Sequence, residues 1–244
     1  MTSDEKEVSA VARLPAWERV LAVVAHPDDE SFGIGAVLGQ FAAAGAAVRV
    51  LCLTSGEAST LGANDHSPAD LRRLRAGELD EAAEVLGLSS TVLLDLPDGG
   101  LAHLPEGRLR TIVADQVADF SPDGIVVFDP RDGVTGHPDH RAASLAAIMG
   151  APDIPMLGWA LPESVAAALR EETGAPFSGY PGPQVDLVLT VSRTRQYEAI
   201  ECHRSQAVPG SVLWRRLELL GDREHLRWLR AGTPEATRLG YDAR

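Results

Sequence analysis

Two short segments of the chain concentrate imidazole and carboxylate side chains. The first runs from His26 to Glu30 (His-Pro-Asp-Asp-Glu), and the second runs from His137 to Arg141 (His-Pro-Asp-His-Arg). Imidazole nitrogens and carboxylate oxygens are both ligands that zinc accepts. Three such ligands leave a fourth position open to water, which is the arrangement of a catalytic zinc site. The two segments therefore predict a metal site that can do chemistry, provided that the fold brings them together.

Each segment follows an apolar, β-branched run that is typical of a strand buried on both faces. We expect these strands at about residues 19–25 and 123–129. Pro27 cannot donate to a sheet ladder, so the first strand ends near His26. In an open α/β sheet, ligands bind where the carboxyl ends of parallel strands meet at one edge. The side chains that we expect at this edge are His26, Asp28, Asp29, His137, Asp139 and His140.

Apolar runs alternate with helical patterns along the rest of the chain. We expect further strands at about 48–54, 91–96, 156–161 and 185–191, and helices at about 31–45, 70–86, 107–119, 139–149, 193–206 and 211–230. This alternation is typical of a mostly parallel central sheet with helices on both faces. We predict an α/β fold, a Rossmann-like three-layer sandwich. Residues 1–16 are expected to form a flexible leader, and residues 17–244 a single domain.

The composition excludes several classes of function. The formal net charge is −13 and the isoelectric point is about 4.9, which argues against nucleic-acid binding and against a polybasic membrane-surface protein. The sequence has no apolar run of about 18 residues that could span a membrane. Its acidic start does not resemble a secretory signal. Cys52 and Cys202 form no spacing motif and are expected to be buried thiols, so we predict a cytoplasmic protein.

At the two segments the chain resembles the zinc-dependent PIG-L/LmbE-like de-N-acetylases. The family signatures A-H-P-D-D-E and H-P-D-H are both intact here, at residues 25–30 and 137–140. The resemblance implies one zinc ion per chain, or another divalent metal, with His26, Asp29 and His140 as ligands. It implies that Asp28 is the general base. His137 would stabilise the oxyanion and could act as general acid, and Asp139 would orient His137.

Other stretches also look like family landmarks, namely residues 55–57, 75–78, 98–99 and 203–206. By analogy, Glu57, Arg75 and Asp98 would contact substrate hydroxyls or polar groups of the pocket. Plainer interpretations stand beside these. Arg75 could instead pair with Glu78 on the surface of a helix, and Glu57 and Asp98 could be turn residues. His203 could pack within a helix interface.

The resemblance implies a zinc-dependent hydrolase that removes an acetyl or other acyl group from the amide nitrogen of an N-acetylated amino sugar or glycoconjugate, in thiol or natural-product biosynthesis. One alternative is a zinc amidase acting on a larger conjugate, such as a thiol S-conjugate. Another is a non-catalytic metal-binding member of the fold, although a scaffold has no chemical need for Asp28. The expected partner is a small molecule. The apolar stretch 214–229 either covers the core or forms a contact in a homo-oligomer.

Overall fold

A twisted sheet of mostly parallel strands carries the candidate residues. The computed structural model describes residues 12–61, 66–105 and 107–232. The strands are β1 (Arg19–Val24), β2 (Ala47–Thr54), β3 (Ser90–Leu96), β4 (Gly124–Phe128), β5 (Met156–Pro162), β6 (Gly179–Tyr180), β7 (Leu187–Thr190) and β8 (Arg223–Arg230). The helices are α1 (Asp29–Phe32), α2 (Gly35–Ala43), α3 (Pro68–Leu86), α4 (Arg108–Phe120), α5 (Pro138–Gly150), α6 (Glu163–Thr173), α7 (Thr194–Cys202) and α8 (Val212–Leu220).

The strand order across the sheet is β3-β2-β1-β4-β5-β8-β7, with the short β6 beside the end of β5. β1 pairs in parallel with both β2 and β4, and β4 pairs in parallel with β5. Only β8 runs antiparallel to its neighbours β5 and β7 among the strand pairs of the described residues. The carboxyl ends of β1 and β4 therefore lie side by side, which is the arrangement that the two segments require.

Alternate residues of β1 face two separate apolar cores. Val20, Ala22 and Val24 belong to the core that receives side chains from α2, α3, α6 and α8. Leu21 and Val23 belong to the core that receives side chains from α4 and α5. Because side chains point alternately to the two faces of a strand, both faces of β1 are covered by helices. The predicted α/β fold, a three-layer sandwich with a mostly parallel sheet, is confirmed.

The predicted helix over 211–230 is wrong in its second half. α8 ends at Leu220, Gly221 follows with a φ of 56°, and residues 223–230 form the strand β8. Glu224 and Leu226 are buried between half-buried or exposed neighbours, a period of two that indicates a strand. Apolar residues at helical spacing across the glycine concealed this change of period. The stretch covers the core because β8 is paired between β5 and β7.

Three smaller differences concern segment ends and a helix that was not predicted. The expected helix over 31–45 is divided into α1 and α2 at Gly33, where a Cβ would lie 2.3 Å from the Phe128 ring. α6 was not predicted; it ends at Gly174, with a φ of 72°. Residues 1–11 of the predicted leader lie outside the described residues. Within residues 12–16, Ala12 and Leu14 pack against the core, so this part is not loosely attached.

No helix among residues 12–61, 66–105 and 107–232 has both the length and the apolar character needed to cross a membrane.

Candidate metal centre and active site

The chain turns sharply after β1 and presents the first segment at the edge of the sheet. The backbone N–H groups of Ala25 and His26 donate to Asp29 Oδ2, at 3.1 and 2.9 Å, so the Asp29 carboxylate closes the turn. Asp28 has a φ of 137°, a conformation that costs a residue with a Cβ of order 1–3 kcal/mol. Such strain persists only where surrounding contacts hold it, and two sets of contacts do so here.

Arg75 of α3 is the first support of this turn. Its side chain is buried, and its guanidinium donates to the carbonyl oxygens of Gly56, at 2.7 Å, and of Pro27. Its Nη2 lies 3.3 Å from Asp28 Oδ2. Gly56 has a φ of +65°, and a Cβ there would lie 2.0 Å from Arg75 Nη1, so glycine is needed for this approach. Arg75 therefore positions Asp28 and does not form the surface pair with Glu78 that was one interpretation.

The second support is a buried pair between Glu30 and His203, whose Oε1 and Nε2 atoms are 2.6 Å apart. Both side chains are fully buried, and Glu30 Oε2 accepts the backbone N–H of Asp28 at 2.9 Å. Burial raises the pKa of the Glu30 carboxyl, but His203 outweighs this effect and lowers it. Sequence reasoning gave neither residue this role, because the two lie 173 positions apart and no local pattern connects them.

The second segment begins α5, and its first turn is set by a local cap. His137 is the N-cap of α5, and its Nδ1 accepts the backbone N–H of Asp139 at 3.2 Å. Ser144, one turn into the helix after His140, donates to Phe128 O at 2.7 Å and so ties α5 to the end of β4. Gly133 has a φ of +58°, and a Cβ there would lie 2.6 Å from His140 Cβ. The loop can therefore pass this close to α5 only with glycine at that position.

The structure brings the three predicted ligands into a small triangle of side chains, in which each Asp29 oxygen faces one of the two imidazoles. His26 Nδ1 lies 3.2 Å from His140 Nε2 and 3.5 Å from Asp29 Oδ2, and His140 Nε2 lies 3.1 Å from Asp29 Oδ1. Tetrahedral zinc with bonds of about 2.0–2.1 Å would separate neighbouring ligand atoms by about 3.3 Å. The spacing of these side chains therefore fits a metal ion.

The outward nitrogens of the two imidazoles lie beside oxygen atoms. His26 Nε2 lies 3.1 Å from Asp98 Oδ1 and 3.6 Å from Asp139 Oδ2. His140 Nδ1 lies 2.7 Å from Thr135 Oγ1. Histidines that bind metals typically donate the second ring N–H to such an acceptor, which sets the tautomer and the ring orientation. Thr135 was not singled out from the sequence, since a lone threonine in a loop carries no signal of this role.

Two other groups of side chains could also hold a metal ion. These groups are His26 with His137 and His140, and His26 with Asp98 and Asp139; in each, the ligand atoms lie within 4.8 Å of one another. The separations measured in the group with Asp29 are 3.1 to 3.5 Å. The Asp139 carboxylate is also already engaged, since it accepts the backbone N–H groups of Gly99 at 2.7 Å and Leu101 at 3.0 Å.

The carboxylates of the cluster favour a cation between them. Burial alone would lower the pKa of His26, but the carboxylates of Asp139, Asp29 and Asp98 raise it well above its usual range. Burial would raise the pKa of Asp29, yet His140 and His26 hold it well below its usual range. Several ionised carboxylates thus surround the His26 imidazole. A positive charge among them, carried by a proton on the ring or by a metal ion, stabilises these carboxylates.

The predicted catalytic side chains lie beside this cluster. The Asp28 side chain is half-buried and faces the cleft. Burial raises the pKa of its carboxyl, and the positive charge of Arg75 opposes this shift. Burial and the neighbouring His26 and His140 lower the pKa of His137, which favours the neutral ring. The expected contact between the Asp139 carboxylate and His137 takes another form, because the Asp139 backbone N–H makes it and the carboxylate faces His26.

The cleft in front of the cluster has a volume of about 620 Å³. Of the three residues predicted to bind substrate, Arg75 and Asp98 line it. Glu57 does not line the cleft. Its Oε1 accepts the backbone N–H of Asp98 at 3.3 Å and lies 3.5 Å from Arg72 Nη2. Asp98 Oδ2 accepts the backbone N–H of Ala58 at 2.9 Å. The Asp98 carboxylate therefore fixes the backbone at the side of the cleft and also lies beside His26.

Comparisons with known proteins agree with this site. The family of GlcNAc-PI de-N-acetylases (PIG-L) matches residues 21–149, which contain both segments. A relative from Kineococcus radiotolerans, a 1D-myo-inositol 2-acetamido-2-deoxy-alpha-D-glucopyranoside deacetylase, is 33% identical over 238 residues. That match covers 76% of this chain and 65% of the relative, so the chain spans about two thirds of the relative's length.

Two solved structures are similar in fold, with TM-scores of 0.65. One is N,N'-diacetylchitobiose deacetylase from Pyrococcus horikoshii, which is 23% identical, with 87% of this chain and 84% of that chain covered. The other is 4-carboxy-2-hydroxymuconate hydratase from Pseudomonas putida, which is 18% identical, with 88% of this chain and 98% of that chain covered. At these identities the likeness shows the fold alone, because one fold can carry different reactions.

Proposed function

This chain belongs to the PIG-L family of GlcNAc-PI de-N-acetylases, and we propose that it hydrolyses the amide bond of an N-acetylated amino sugar or glycoconjugate. One zinc ion, held by His26, Asp29 and His140, is part of this proposal. The observation that carries it is the triangle of donor atoms, 3.1 to 3.5 Å apart, with the Asp28 carboxylate beside it. The relative from Kineococcus, named for the same reaction class, supports it.

A metal ion bound to these residues would polarise the acyl carbonyl and make water a stronger nucleophile near neutral pH. Asp28 would take a proton from the attacking water, since a carboxylate with a raised pKa is a better base than one with an ordinary pKa. The water oxygen bonds to the acyl carbon and the carbon–nitrogen bond breaks, so the products are a carboxylate and an amine. The amine nitrogen receives the proton that Asp28 took from the water, because a neutral His137 whose Nδ1 accepts a backbone N–H has no proton to give up.

The backbone decides the tautomer of His137. Its Nδ1 accepts the N–H of Asp139, so the neutral ring carries its proton on Nε2. His137 lines the cleft, and we propose that this N–H donates to the oxyanion that develops on the acyl carbonyl. The helix cap thereby orients the His137 ring so that its Nε2–H can donate, and no carboxylate is needed to orient this ring.

Arg75 and Asp98 are proposed to act mainly on other residues of the site. Arg75 holds the backbone at Pro27 and faces Asp28, and Asp98 supports His26 Nε2. Both line the cleft, so each can also contact a substrate hydroxyl with the atoms that remain. Glu57 would contribute through Asp98.

The proposal is tested by metal analysis and by amine release from N-acetylglucosamine and its conjugates. We expect one metal ion per chain, loss of turnover on chelation, and recovery with zinc. His140→Ala should lose both metal and turnover. His103→Ala, at an exposed histidine outside the cleft, is the matched control and should keep both.

Turnover that persists in chelated protein or in His140→Ala would overturn the proposal. Full metal occupancy without amine release across a broad panel of acetamides would favour a non-catalytic member of the fold. Measuring amine release also separates hydrolysis from the hydration reaction for which the Pseudomonas structure is named.

A further inference from the structure

The carboxyl end of α1 is held by two side chains from distant helices. α1 is a single turn that begins at Asp29; one turn is not stable by itself, and the last carbonyl groups of a helix lack partners within it. The Ser31 carbonyl accepts from Gln196 Nε2 of α7 at 2.8 Å. The Phe32 carbonyl accepts from Arg216 Nη2 of α8 at 2.5 Å. The orientation of this turn therefore depends on these two donors.

A buried polar network fixes the carboxamide of Gln196. Its Oε1 accepts from Arg193 Nη1 at 2.5 Å, so its Nε2 is left to donate to α1. The same Arg193 Nη1 donates to Glu224 Oε1 at 2.5 Å. Glu224 Oε2 in turn accepts the indole N–H of Trp159 at 2.7 Å. A flipped carboxamide would place N–H donors of Gln196 and Arg193 against each other, so the network selects the orientation that supports α1.

Arg216 is a buried cation that lacks a directly paired carboxylate. Among the described residues no carboxylate forms an ion pair with its guanidinium, and the nearby Glu224 pairs with Arg193 instead. Burial lowers the pKa of Arg216 from 12.5 to about 10, although the negative charges of Glu224 and Asp29 oppose this shift. Burying a charge without such a partner is costly, and an apolar side chain would fill the same space at lower cost. The guanidinium is therefore expected to do more than fill space.

Two aromatic rings connect Arg216 to the second loop of the site. Its Cζ lies 4.9 Å from the centre of the Trp159 ring, which is a cation–π distance. The Phe128 ring lies 4.9 Å from the Trp159 ring and, edge-on, 4.9 Å from the His140 ring. Gly33, directly after α1, also packs on Phe128, because a Cβ there would lie 2.3 Å from that ring. α1 and His140 therefore contact the same ring, and Arg216 contacts both α1 and the neighbouring Trp159.

We propose that Arg216 and Gln196 are positioning residues of the metal centre. By holding α1, they keep the Asp29 carboxylate at the distance from the two ligand imidazoles that a metal ion requires. The inference rests on the proposed function, which names these ligands. Without either donor a buried carbonyl of α1 loses its partner, and the turn must shift to regain one; Asp29, in the same turn, would move with it. Neither residue is among those that line the cleft, so the role requires no contact with substrate.

Titration of the metal-free protein with cobalt(II) tests this role without requiring turnover, because the visible spectrum of bound cobalt reports the ligand geometry. Arg216→Met and Gln196→Met remove the donors and leave a long, flexible side chain. Each should weaken cobalt binding about tenfold or more and shift the spectrum. Arg216→Lys keeps a cation and an N–H donor and should recover part of the affinity. Arg215→Met, at the neighbouring arginine of α8 whose side chain is 41% exposed, is the matched control and should bind like wild type.

Far-UV circular dichroism identifies the variants that fold. A folded Arg216→Met or Gln196→Met variant with wild-type cobalt affinity and an unchanged spectrum overturns the inference. If Arg216→Met does not fold, Gln196→Met decides the question alone. Equal losses in Arg216→Lys and Arg216→Met would assign the effect to packing and would overturn the role of the cation and its donor.

Failure of this inference is distinguishable from failure of the proposed function. Amine release by wild type, together with cobalt binding that no folded variant weakens, would overturn the inference alone. Weaker cobalt binding in both methionine variants, together with no hydrolysis of any acetamide, would overturn the proposed hydrolysis alone. A wild-type protein that binds no metal ion would overturn the metal centre and with it both proposals.

Discussion

The two loops that meet at the candidate site have similar amino-acid sequences, but different contacts hold them in place. The loop after β1 holds Asp28 at a φ of 137° and depends on Arg75 and His203, which lie 47 and 175 positions further along the chain than Asp28. The loop after β4 leads into α5 through Pro138 and is capped by its own His137. The Asp28 turn is held by buried charged side chains from distant elements, whereas the His137 turn is set by its own cap, although distant backbone groups also bond to Val134 and Asp139.

The histidines proposed as metal ligands repeat this contrast. His26 Nε2, on the first loop, lies beside the carboxylates of Asp98 and Asp139, which belong to other elements. His140 Nδ1 lies beside the neutral hydroxyl of Thr135, five residues earlier in the chain. An imidazole N–H interacts more strongly with an ionised carboxylate than with a neutral hydroxyl. The strained loop that carries the proposed general base is thus the one whose histidine faces ionised and more distant groups.

The largest expected effect is a loss of kcat when the carboxylate of the first loop is replaced. Asp28→Asn keeps the shape of the side chain but removes its basicity, so kcat should fall by about 10²- to 10⁴-fold while metal content stays at the wild-type level. The check is steady-state amine release together with metal analysis. Asp153→Asn, at an exposed carboxylate remote from both loops, is the matched control. An Asp28→Asn variant that keeps more than about a tenth of wild-type kcat would contradict the assigned role.

The next effect concerns stability and compares the supports directly. His203→Leu leaves the Glu30 carboxylate buried without its partner, and we expect a loss of about 3–5 kcal/mol in the free energy of unfolding. Ser144→Ala removes a neutral hydrogen bond that supports the second loop and should cost about 1 kcal/mol. Urea unfolding of both variants measures the difference. Equal losses would mean that the first loop does not depend more on distant support.

Metal affinity gives a smaller contrast between the two ligand histidines. Replacing an outer partner of a metal-bound histidine typically lowers metal affinity about 10- to 100-fold. We expect Asp98→Asn near the upper end of this range, because it removes an ionised acceptor, and Thr135→Val near the lower end. Competition with a chromophoric chelator measures both. The asymmetry is refuted if Thr135→Val is the more damaging change.

The last effect is confined to acidic pH and concerns a histidine outside both loops. Burial, together with Arg223 and Arg193, lowers the pKa of the half-buried His225 from 6.5 to about 4. Between these pH values the unfolded chain gains a proton that the folded chain does not. The free energy of unfolding therefore decreases as the pH falls through this window, and the contribution vanishes above it.

The check is urea unfolding of wild type and His225→Gln at pH values above and within the window. The variant should lose less stability than wild type on acidification, and the two should respond alike above the window. If the variant loses as much stability as wild type between these pH values, His225 does not contribute. The acid response would then be assigned to the carboxyls of Asp29, Glu30 and Asp98, whose lowered pKa values also make stability fall as the pH decreases.

Several elements show how far local pattern reaches. The strands before both segments were predicted within a residue or two, because continuous apolar runs bounded by proline and charge are local signals. The predicted helix over 211–230 failed because apolar residues kept a helical spacing across Gly221, while pairing with β5 and β7 made the second half a strand. Tertiary pairing can override local preference in this way.

By itself, the sequence determined that six imidazole and carboxylate residues follow two buried strands and that parallel strand ends bring them to one edge. Only the tertiary structure decided which atoms face the proposed metal position, that Asp98 lies beside His26, and that Glu30 and His203 hold the Asp28 turn. The reason is physical. Motif spacing is a property of neighbouring residues, whereas a buried charge finds its partner wherever packing places one, at any distance along the chain.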